Sequence, residues 1–355
     1  MSLYVCDSYE KLPAILKKEG VSGTRAMVVG DTNTLSLYGE DVANVLASVF
    51  TSVHRYAFPA GEEHKNLTSI EELYRALLVA SFDRHDVIFA LGGGVVGDMA
   101  GFAAATYMRG IRYVQLPTTL LAQVDSSIGG KTGVDFEGYK NMVGAFHMPA
   151  FIYTVPGTLA TLDRVQFSSG MGEVIKSALL GSEDFFEWLL GNIYEIDERE
   201  PEVIMEMVRR TASIKERIVK EDPTEKGIRA VLNLGHTLGH AIEKFLEFRL
   251  PHGHCVALGC VAAAKISEGR GLLSTEELFE IRDVLVAFDL PILVDGLDKE
   301  AVVALTKADK KMQGGQIRFV LLKKIGKAFV AKDVTDAELF DALKFICAED
   351  ILVEG

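Results

Sequence analysis

The chain of 355 residues is 48% hydrophobic and 25% charged, the composition of an ordinary globular protein, and it is long enough for two domains. Its formal net charge of −13 argues against a nucleic-acid or anionic-membrane surface, so an anionic ligand would need a local cluster of lysines and arginines. No apolar stretch approaches the roughly 20 residues of a membrane span, and no apolar N-terminal run follows a basic segment, so we expect a cytoplasmic protein.

The N-terminal part alternates short apolar runs with helical patterns, which is typical of an α/β domain. A buried strand is predicted over 26–29, followed by helices over 36–52 and 67–81. Asp31 and Asn33 follow this strand, at a point where ligands often bind to α/β sheets. The same two residue types also form turns without any ligand.

A glycine run is the strongest local pattern of the first half. An apolar strand over 86–91 leads into three glycines at 92–94 and then into a small-residue helix over 99–107. Such glycines let a diphosphate approach the backbone, and the following helix N-terminus offers free N–H groups. The run lacks the GxGxxG spacing, and a glycine turn can also serve packing alone.

The next strand, predicted over 113–116, is followed by a second glycine-rich stretch around Lys131. This stretch lacks the spacing of a phosphate-binding P-loop, although a lysine in a glycine turn is a natural anion ligand. We interpret the segment 149–156, bounded by two prolines, as the passage into a second domain.

From there the pattern is mainly helical. Helices are predicted over 185–190, 201–220 and 257–269, and a small hairpin over 317–330. Glu173 and Lys176 lie one turn apart in an apolar, glycine-flanked run, where a solvated surface pair is less expected.

Half of the eight histidines fall between positions 236 and 254. His236 and His240 are four residues apart, so a helix would place both imidazoles on one face. A third histidine beyond Pro251 could fold back toward them, and Glu173 can supply the carboxylate that zinc sites often include. The alternative is that these histidines cap helix ends or make core hydrogen bonds.

Seven motifs resemble those of the 3-dehydroquinate synthases, a family of the sugar-phosphate cyclase group, and they follow the family's order along nearly the whole chain. They are LGGGVVGDMAGF at 91–102, YMRG at 107–110, LPTTLLAQVDSSIGGKTGVD at 116–135, KN at 140–141, GEVIK at 172–176, NLGHTLGHAIE at 233–243 and HG at 252–253.

The resemblance implies an α/β N-terminal Rossmann-like domain over 1–155 and a mainly α-helical C-terminal metal-binding domain over 156–355, with the active site between them. It also implies a homodimer that binds NAD and a divalent metal, zinc or cobalt. The implied metal ligands are Glu173, His236 and His252.

The resemblance assigns the remaining site residues by position. The implied substrate-binding residues are Arg109 of the partner subunit, Asp125, Lys131, Asn141, Lys176, Lys215, Arg229, Asn233, His240 and Lys310. Among these, the expected catalytic residues are Lys131, Lys176, Asn233 and His240. The implied NAD-binding residues are Asp31, Asn33, Glu62, Lys65, Gly93, Gly94, Val95, Asp98, Thr118, Thr119, Asp125, Lys140, Thr161 and Leu162.

The implied reaction belongs to the shikimate pathway of aromatic amino acid biosynthesis. A sugar phosphate, 3-deoxy-D-arabino-heptulosonate 7-phosphate, is transiently oxidised by NAD, loses phosphate, is re-reduced and closes by an intramolecular aldol step to 3-dehydroquinate. The alternatives are another sugar-phosphate cyclase, a metal-dependent polyol dehydrogenase, or a binding protein without catalysis. Lys215 and Arg229 could also be ordinary solvated charges.

Two positions depart from the family's pattern or leave it open. His254 stands where the family usually has a glutamate, so it either alters metal affinity or is a neutral local change. Lys311, next to Lys310, leaves the register of the last substrate lysine open.

Overall fold

The computed structural model describes residues 2–223, 225, 227–312 and 318–348, except for the side chains of 308–312. These residues form two compact units, and the chain divides after Leu162. The first unit is α/β and the second is mainly helical, which confirms the predicted fold class. The first unit contains β1 (Ser2–Val5), α1 (Leu12–Lys18), β2 (Arg25–Asp31), α2 (Thr32–Leu46), β3 (Ser52–Phe58), α3 (Leu67–Val79), β4 (Val87–Gly92), α4 (Gly94–Thr106), β5 (Arg112–Pro117), β6 (Lys131–Phe136), β7 (Tyr139–Phe146) and β8 (Phe151–Thr154).

The main sheet of the first unit has the strand order β1-β8-β5-β4-β2-β3, and its strand pairs are parallel. Alternate residues of β2 join different apolar clusters: Met27 and Val29 pack into one, Ala26 and Val28 into the other. Successive side chains of a strand point to opposite faces, so the sheet is buried on both sides. This double burial explains why its central strands are continuous apolar runs.

Several parts of the first unit were not predicted from the sequence, namely β1, α1, β3, the hairpin and β8. The stretch after Lys131 forms the antiparallel hairpin β6–β7, entered through Gly129 and Gly130 with φ of 111° and 67°. Most of β7 is exposed, so it lacks the apolar alternation that predicts a strand. Within 149–156, β8 is a fully buried strand. It was not predicted because an apolar run of four residues is too short to show a period.

The second unit is built from helices and one hairpin. It contains α5 (Arg164–Gly181), α6 (Glu183–Gly191), α7 (Ile193–Asp197), α8 (Pro201–Glu221), α9 (His236–Phe245), α10 (His252–Gly269), α11 (Thr275–Ala287), α12 (Lys299–Met312), β9 (Phe319–Lys324), β10 (Lys327–Ala331) and α13 (Asp336–Ile346).

Helix α10 is the centre of the second unit. Its side chains are buried on nearly all faces, and it packs against α5, α9, α11, α13 and β9. It begins at His252, earlier than the predicted start at position 257, because the polar first turn carries no apolar period. Among the described residues, none of the helices combines the length and apolarity needed to cross a bilayer.

Candidate active site

The residues expected to bind NAD in the first unit collect along one edge of the main sheet. Asp31 ends β2, Gly93 follows β4, and Thr118 and Thr119 follow β5. Because these strands are parallel, the turns at their carboxyl ends lie side by side. The N–H of Thr118 donates to the carbonyl of Gly92 at 3.0 Å, which ties two of these turns together.

The glycine turn after β4 has no room for side chains. A Cβ on Gly93 would lie 3.0 Å from Cγ2 of Thr119, and a Cβ on Gly92 would lie 2.7 Å from the side chain of Val96. Gly94 and Val95 then open α4, whose N-terminus presents main-chain N–H groups and the positive end of the helix dipole. This arrangement suits a diphosphate group.

Asp31 forms a turn, which is one of the two roles that the sequence allows for it. Its Oδ1 accepts from the N–H groups of Asn33 at 2.9 Å and Thr34 at 2.7 Å, and so caps α2. Asn33 itself is exposed in the first turn of this helix. Thr161 and Leu162 follow β8 at the end of a 3₁₀ turn, where the Thr161 hydroxyl bonds that of Tyr38.

Lys65 joins residues assigned to two different ligands. Its side chain is 4% exposed, and Nζ donates to Oδ2 of Asp98 at 2.7 Å and to Oδ1 of Asn141 at 2.6 Å. Burial favours the neutral amine, but Asp98 outweighs it and raises the pKa of Lys65. Asn141 has φ of 54° and donates its N–H to Oδ1 of Asp135. A buried ammonium therefore holds a left-handed residue of the hairpin against α4.

Four further assigned residues of the first unit follow the carboxyl end of a strand or lie on the hairpin, and a fifth does neither. Glu62 is 3.8 Å from Nζ of Lys65, Asp125 lies in a π-helical turn, and Lys131 and Lys140 are exposed on the hairpin. Arg109 is the exception: it is exposed in a left-handed turn between α4 and β5, at the amino ends of the strands.

In the second unit, glycines bring three helices into backbone contact. A Cβ on Gly172 of α5 would lie 2.4 Å from the carbonyl oxygen of Gly253 in α10. This close approach places their neighbours, Glu173 and His252, opposite each other.

Helix α9 approaches α10 in the same way. Gly235, with φ of 77°, precedes α9, and a Cβ on Gly259 would lie 1.9 Å from its carbonyl oxygen. The left-handed turn at Gly235 directs His236 toward α10. The rings of His236 and His252 then lie 5.4 Å apart between centroids.

Glu173 is fully buried at the centre of this cluster. Its Oε1 lies 3.6 Å from Nε2 of His236 and 3.5 Å from Nε2 of His252, and its Oε2 pairs with Nζ of Lys176. Apart from these charged contacts, neither carboxylate oxygen has a hydrogen-bond partner among the described residues. Lys176 is 2% exposed, so the pair is not the solvated surface pair considered above.

His240 adds a third imidazole. One ring nitrogen from each of His236, His240 and His252 lies within 4.8 Å of the others. His240 is exposed, whereas the other two rings are partly buried. The cluster therefore offers one more donor than the three predicted ligands.

The two half-buried rings are oriented by oxygen acceptors. Nδ1 of His236 lies 3.1 Å from the carbonyl oxygen of Leu234, and Nδ1 of His252 lies 3.3 Å from Oε2 of Glu243. An oxygen that can only accept requires hydrogen on Nδ1, which leaves the Nε2 lone pair free for a metal. Sequence reasoning did not assign Glu243, although it lies one turn after His240 in a quoted motif.

The electrostatics of the cluster favour a cation. Burial raises the pKa of Glu173, but Lys176 and the two rings hold it well below its usual range. Burial lowers the pKa of His252, yet Glu173 and Glu243 outweigh this and raise it to about 9. Burial, helped by Lys176, lowers the pKa of His236 well below its usual value. These residues fit a divalent cation with carboxylate and imidazole ligands.

Two basic residues assigned to the substrate, Lys215 and Arg229, are not the ordinary solvated charges considered above. Lys215 of α8 is 8% exposed and Arg229 is 2% exposed. Nη1 of Arg229 donates to the carbonyl of Pro223 at 2.7 Å, and Nδ2 of Asn233 donates to Oε1 of Glu225 at 3.3 Å. Lys310 belongs to α12, but its side chain lies outside the described residues.

His254 is half-buried on the α5 side of α10. Its Nε2 lies 2.9 Å from Oγ of Ser168, which also donates to the carbonyl of Asp289. Burial lowers the pKa of His254. His254 stands where the family usually has a glutamate, and in this chain the carboxylate that contacts His252 belongs to Glu243.

The fold and the site together define a protein that combines a nucleotide-binding type of sheet edge with a carboxylate–imidazole metal centre. The family model for the N-terminal part of 3-dehydroquinate synthase matches residues 55–169, and the model for its C-terminal part matches residues 170–312. The chain is 42% identical to a 3-dehydroquinate synthase of Syntrophotalea carbinolica over 338 residues, which cover 95% of this chain and 93% of that protein. The chain belongs to the 3-dehydroquinate synthase family.

Solved structures of related enzymes share the whole fold. A 2-epi-5-epi-valiolone synthase from Streptomyces hygroscopicus subsp. jinggangensis 5008, with NAD⁺ and Zn²⁺ bound, is 30% identical with a TM-score of 0.89, over 96% of this chain and 95% of that one. A 2-deoxy-scyllo-inosose synthase, complexed with carbaglucose-6-phosphate, NAD⁺ and Co²⁺, has the same fold with a TM-score of 0.85 and 24% identity, over 96% and 95% of the two chains.

Proposed function

We propose that the protein is a 3-dehydroquinate synthase, a carbon–oxygen lyase that converts 3-deoxy-D-arabino-heptulosonate 7-phosphate into 3-dehydroquinate and phosphate. The observation that carries this proposal is the buried cluster of Glu173, Lys176, His236 and His252. It occurs in a chain that matches synthases of this name over nearly its full length.

The proposed metal ligands are Glu173, His236 and His252, with zinc or cobalt as the ion. Glu173 is preferred to His240 because its buried Oε1 lies 3.6 Å from Nε2 of His236 and 3.5 Å from Nε2 of His252, while Lys176 pairs with the other carboxylate oxygen. His240 is exposed, which leaves its imidazole available to substrate. An imidazole in that position is suited to moving the proton of a substrate hydroxyl near neutral pH.

The proposed NAD site is the edge of the sheet formed by the turns after β2, β4, β5 and β8. When bound, NAD supplies a reversible hydride acceptor and the metal ion polarises a substrate hydroxyl, so oxidation and re-reduction consume no cofactor. The main-chain N–H groups at the start of α4 would hold the diphosphate, and Lys140 and Asp98 are assigned to the same cofactor.

The proposed substrate contacts are cationic or amide groups in a chain of net charge −13. Lys131 and Asn141 bind the phosphate, and Lys215 and Arg229 bind the carboxylate. Lys176 and Asn233 contact ring hydroxyls, as do His240 and, further along, Lys310. Lys215 and Arg229 are both buried, and attraction between a cation and an anion is stronger where water is excluded, which supports this assignment.

The position of Arg109 supports a homodimer. Asn141, a proposed phosphate ligand, is held through Lys65 to Asp98 near the start of α4, whereas Arg109 follows the other end of this helix, which has 13 residues and is about 20 Å long. We assign Arg109 to the phosphate site of a second copy. The hairpin β6–β7 also carries exposed aromatic side chains, Phe136, Tyr139 and Phe146, which a second copy can cover.

The deciding experiment measures phosphate release from 3-deoxy-D-arabino-heptulosonate 7-phosphate with NAD⁺, before and after chelation, while absorbance at the NADH wavelength is followed. We expect chelator-sensitive phosphate release without net NADH. Release only from sugar phosphates that lack a carboxylate would indicate another cyclase, and steady NADH formation from a polyol would indicate a dehydrogenase.

A further inference from the structure

Glu243 lies inside the second unit without an assigned role. It is 4% exposed, and its Oε2 lies 3.3 Å from Nδ1 of His252. On α9 it follows His240 by one turn and His236 by two, so all three side chains share one face of the helix. The contact between Glu243 and His252 therefore links α9 to the first residue of α10.

The two proposed histidine ligands are oriented by different kinds of acceptor. His236 is held by a main-chain carbonyl, that of Leu234, which no side-chain substitution removes. His252 is held by a carboxylate, and its side chain is 30% exposed compared with 15% for His236. The less confined ring thus depends on a side chain for its orientation.

We propose that Glu243 is a positioning residue that accepts the Nδ1 hydrogen of His252 and so presents Nε2 of this ring as a metal ligand. The N-terminus of α10 lies beside it, and the positive end of that helix dipole stabilises a carboxylate there. A histidine ligand whose second nitrogen donates to a carboxylate is both fixed in tautomer and more basic. This inference rests on the proposed ligand set.

The test compares Glu243→Gln and Glu243→Leu in the full chain after removal and readdition of metal. Gln keeps an acceptor oxygen but loses the charge. Leu loses both the acceptor and the charge, although its side chain is of similar size. Loss of such a partner typically weakens metal affinity about 10- to 100-fold. We expect Co²⁺ affinity, measured by competition with a chelator, to fall slightly for Gln and by that factor for Leu.

The visible absorption of bound Co²⁺ provides a second readout, because a change in ring orientation alters its bands while a merely structural role does not. Glu247→Gln is the matched control, since Glu247 is exposed just beyond the same helix. Wild-type affinity and an unchanged Co²⁺ spectrum in the folded Leu variant would overturn the proposal. If that variant does not fold, Glu243→Ala, which also removes the acceptor oxygen, is measured in its place, and the same result would overturn the proposal.

The ligand set is tested separately in the same assay. If the wild-type chain retains no Co²⁺, or if Glu173→Gln leaves its affinity unchanged, the metal site itself is wrong. If Glu173→Gln abolishes binding while both Glu243 variants match the wild type, only the role of Glu243 is wrong.

Discussion

His236 is the residue whose removal tests the metal centre most directly. Its Nε2 faces the buried Glu173, and its ring packs against both other imidazoles of the cluster. We expect His236→Ala to lose bound metal and phosphate release together, because one of the three proposed ligands is gone. Metal content per chain, measured by atomic emission, and turnover check this. The control is His85→Ala, an exposed histidine of the first unit. A His236→Ala variant with full metal content would exclude His236 as a ligand.

Lys65 tests the connection between the glycine-rich helix and the hairpin. Lys65→Met keeps the buried length but removes both charge-assisted hydrogen bonds, so Asn141 loses the group that holds it in a left-handed conformation. Loss of such a bond costs about 1.5–3 kcal/mol, so we expect the KM for the sugar phosphate to rise about 10- to 100-fold.

Steady-state kinetics and NAD titration check the role of Lys65. Because Asp98 raises the pKa of Lys65, the effect should be the same across the neutral range. Lys11→Met is the matched control, since Lys11 forms a 2.8 Å pair with Asp7 but both side chains are more than half exposed. Unchanged kinetics for Lys65→Met would show that Lys65 has no role in the site.

For single residues, the sequence predicts the metal-binding residue types but not the side chains that form hydrogen bonds with them. The spacing of His236 and His240 and the apolar setting of Glu173 already favour a metal site. Glu243 is different, because its role depends on how α9 crosses α10, and nothing in its own neighbourhood of the sequence indicates that contact. The arrangement of Lys65 between Asp98 and Asn141 likewise joins three segments that are distant in sequence.

At the scale of helices, the contact between α5 and α10 depends on Gly253. A Cβ there would lie 1.8 Å from the carbonyl oxygen of Ser169, which is main chain and cannot move aside. We expect Gly253→Ala to lower the free energy of unfolding by about 1–3 kcal/mol and to weaken metal binding. Gly269, on the same helix, has open space around it, so Gly269→Ala should stay within about 0.5 kcal/mol of the wild type. Urea unfolding of both variants decides this, and equal stabilities would contradict the close contact.

A second link joins the end of α10 to the start of α13. Nε of Arg270 donates to Oε1 of Glu338 at 2.6 Å, and Thr335 donates to the same carboxylate. The hydrogen bond from Arg270 lowers the pKa of Glu338 to about 2. Because the folded-state pKa lies below the unfolded one, the link stabilises the fold above about pH 4.5 and is lost as the pH falls toward 2.

Glu338→Gln tests this link through its pH dependence. We expect a loss of about 1–2 kcal/mol at pH 7, since the pair is partly exposed, and a smaller difference from the wild type near pH 3. Urea unfolding at both values measures it. Asp341→Asn, an exposed change on the same helix, controls for net charge. A difference that is independent of pH would mean that the charge of Glu338 contributes nothing.

Some helices and the central strands follow from local pattern, whereas α1, α11, α12 and α13 were not predicted, and neither were the exposed or very short strands. Strands β4 and β5 lie within one residue of their predicted bounds because buried parallel strands are apolar throughout. The hairpin β6–β7 was missed because its strands are held by pairing and by packing on α4, as in the contact of Gly101 with Thr132. Such contacts leave no periodic trace in the sequence.

For the whole molecule, the two-part architecture was predictable because long motifs occur in family order, and composition alone would have allowed many α/β folds. The chain's net charge of −13 also predicted that an anionic ligand would need a local cluster of lysines and arginines. Assembly is a different matter, since an arginine in a surface turn looks the same in a monomer and in a dimer. Arg109 therefore needs an experiment on two chains at once.

Mixing two inactive variants tests whether Arg109 acts in the partner subunit. Arg109→Ala and His236→Ala should each be inactive alone. If Arg109 acts across the interface, one site of a mixed dimer has an intact His236 in its own chain and an intact Arg109 from the other. Random pairing makes about half of the dimers mixed, so about a quarter of all sites should regain phosphate release after co-expression. If Arg109 acts within its own chain, every site of the mixture carries one defect and activity stays at the level of the single variants. Mixing two separately tagged copies of Arg109→Ala controls for the effect of co-expression itself.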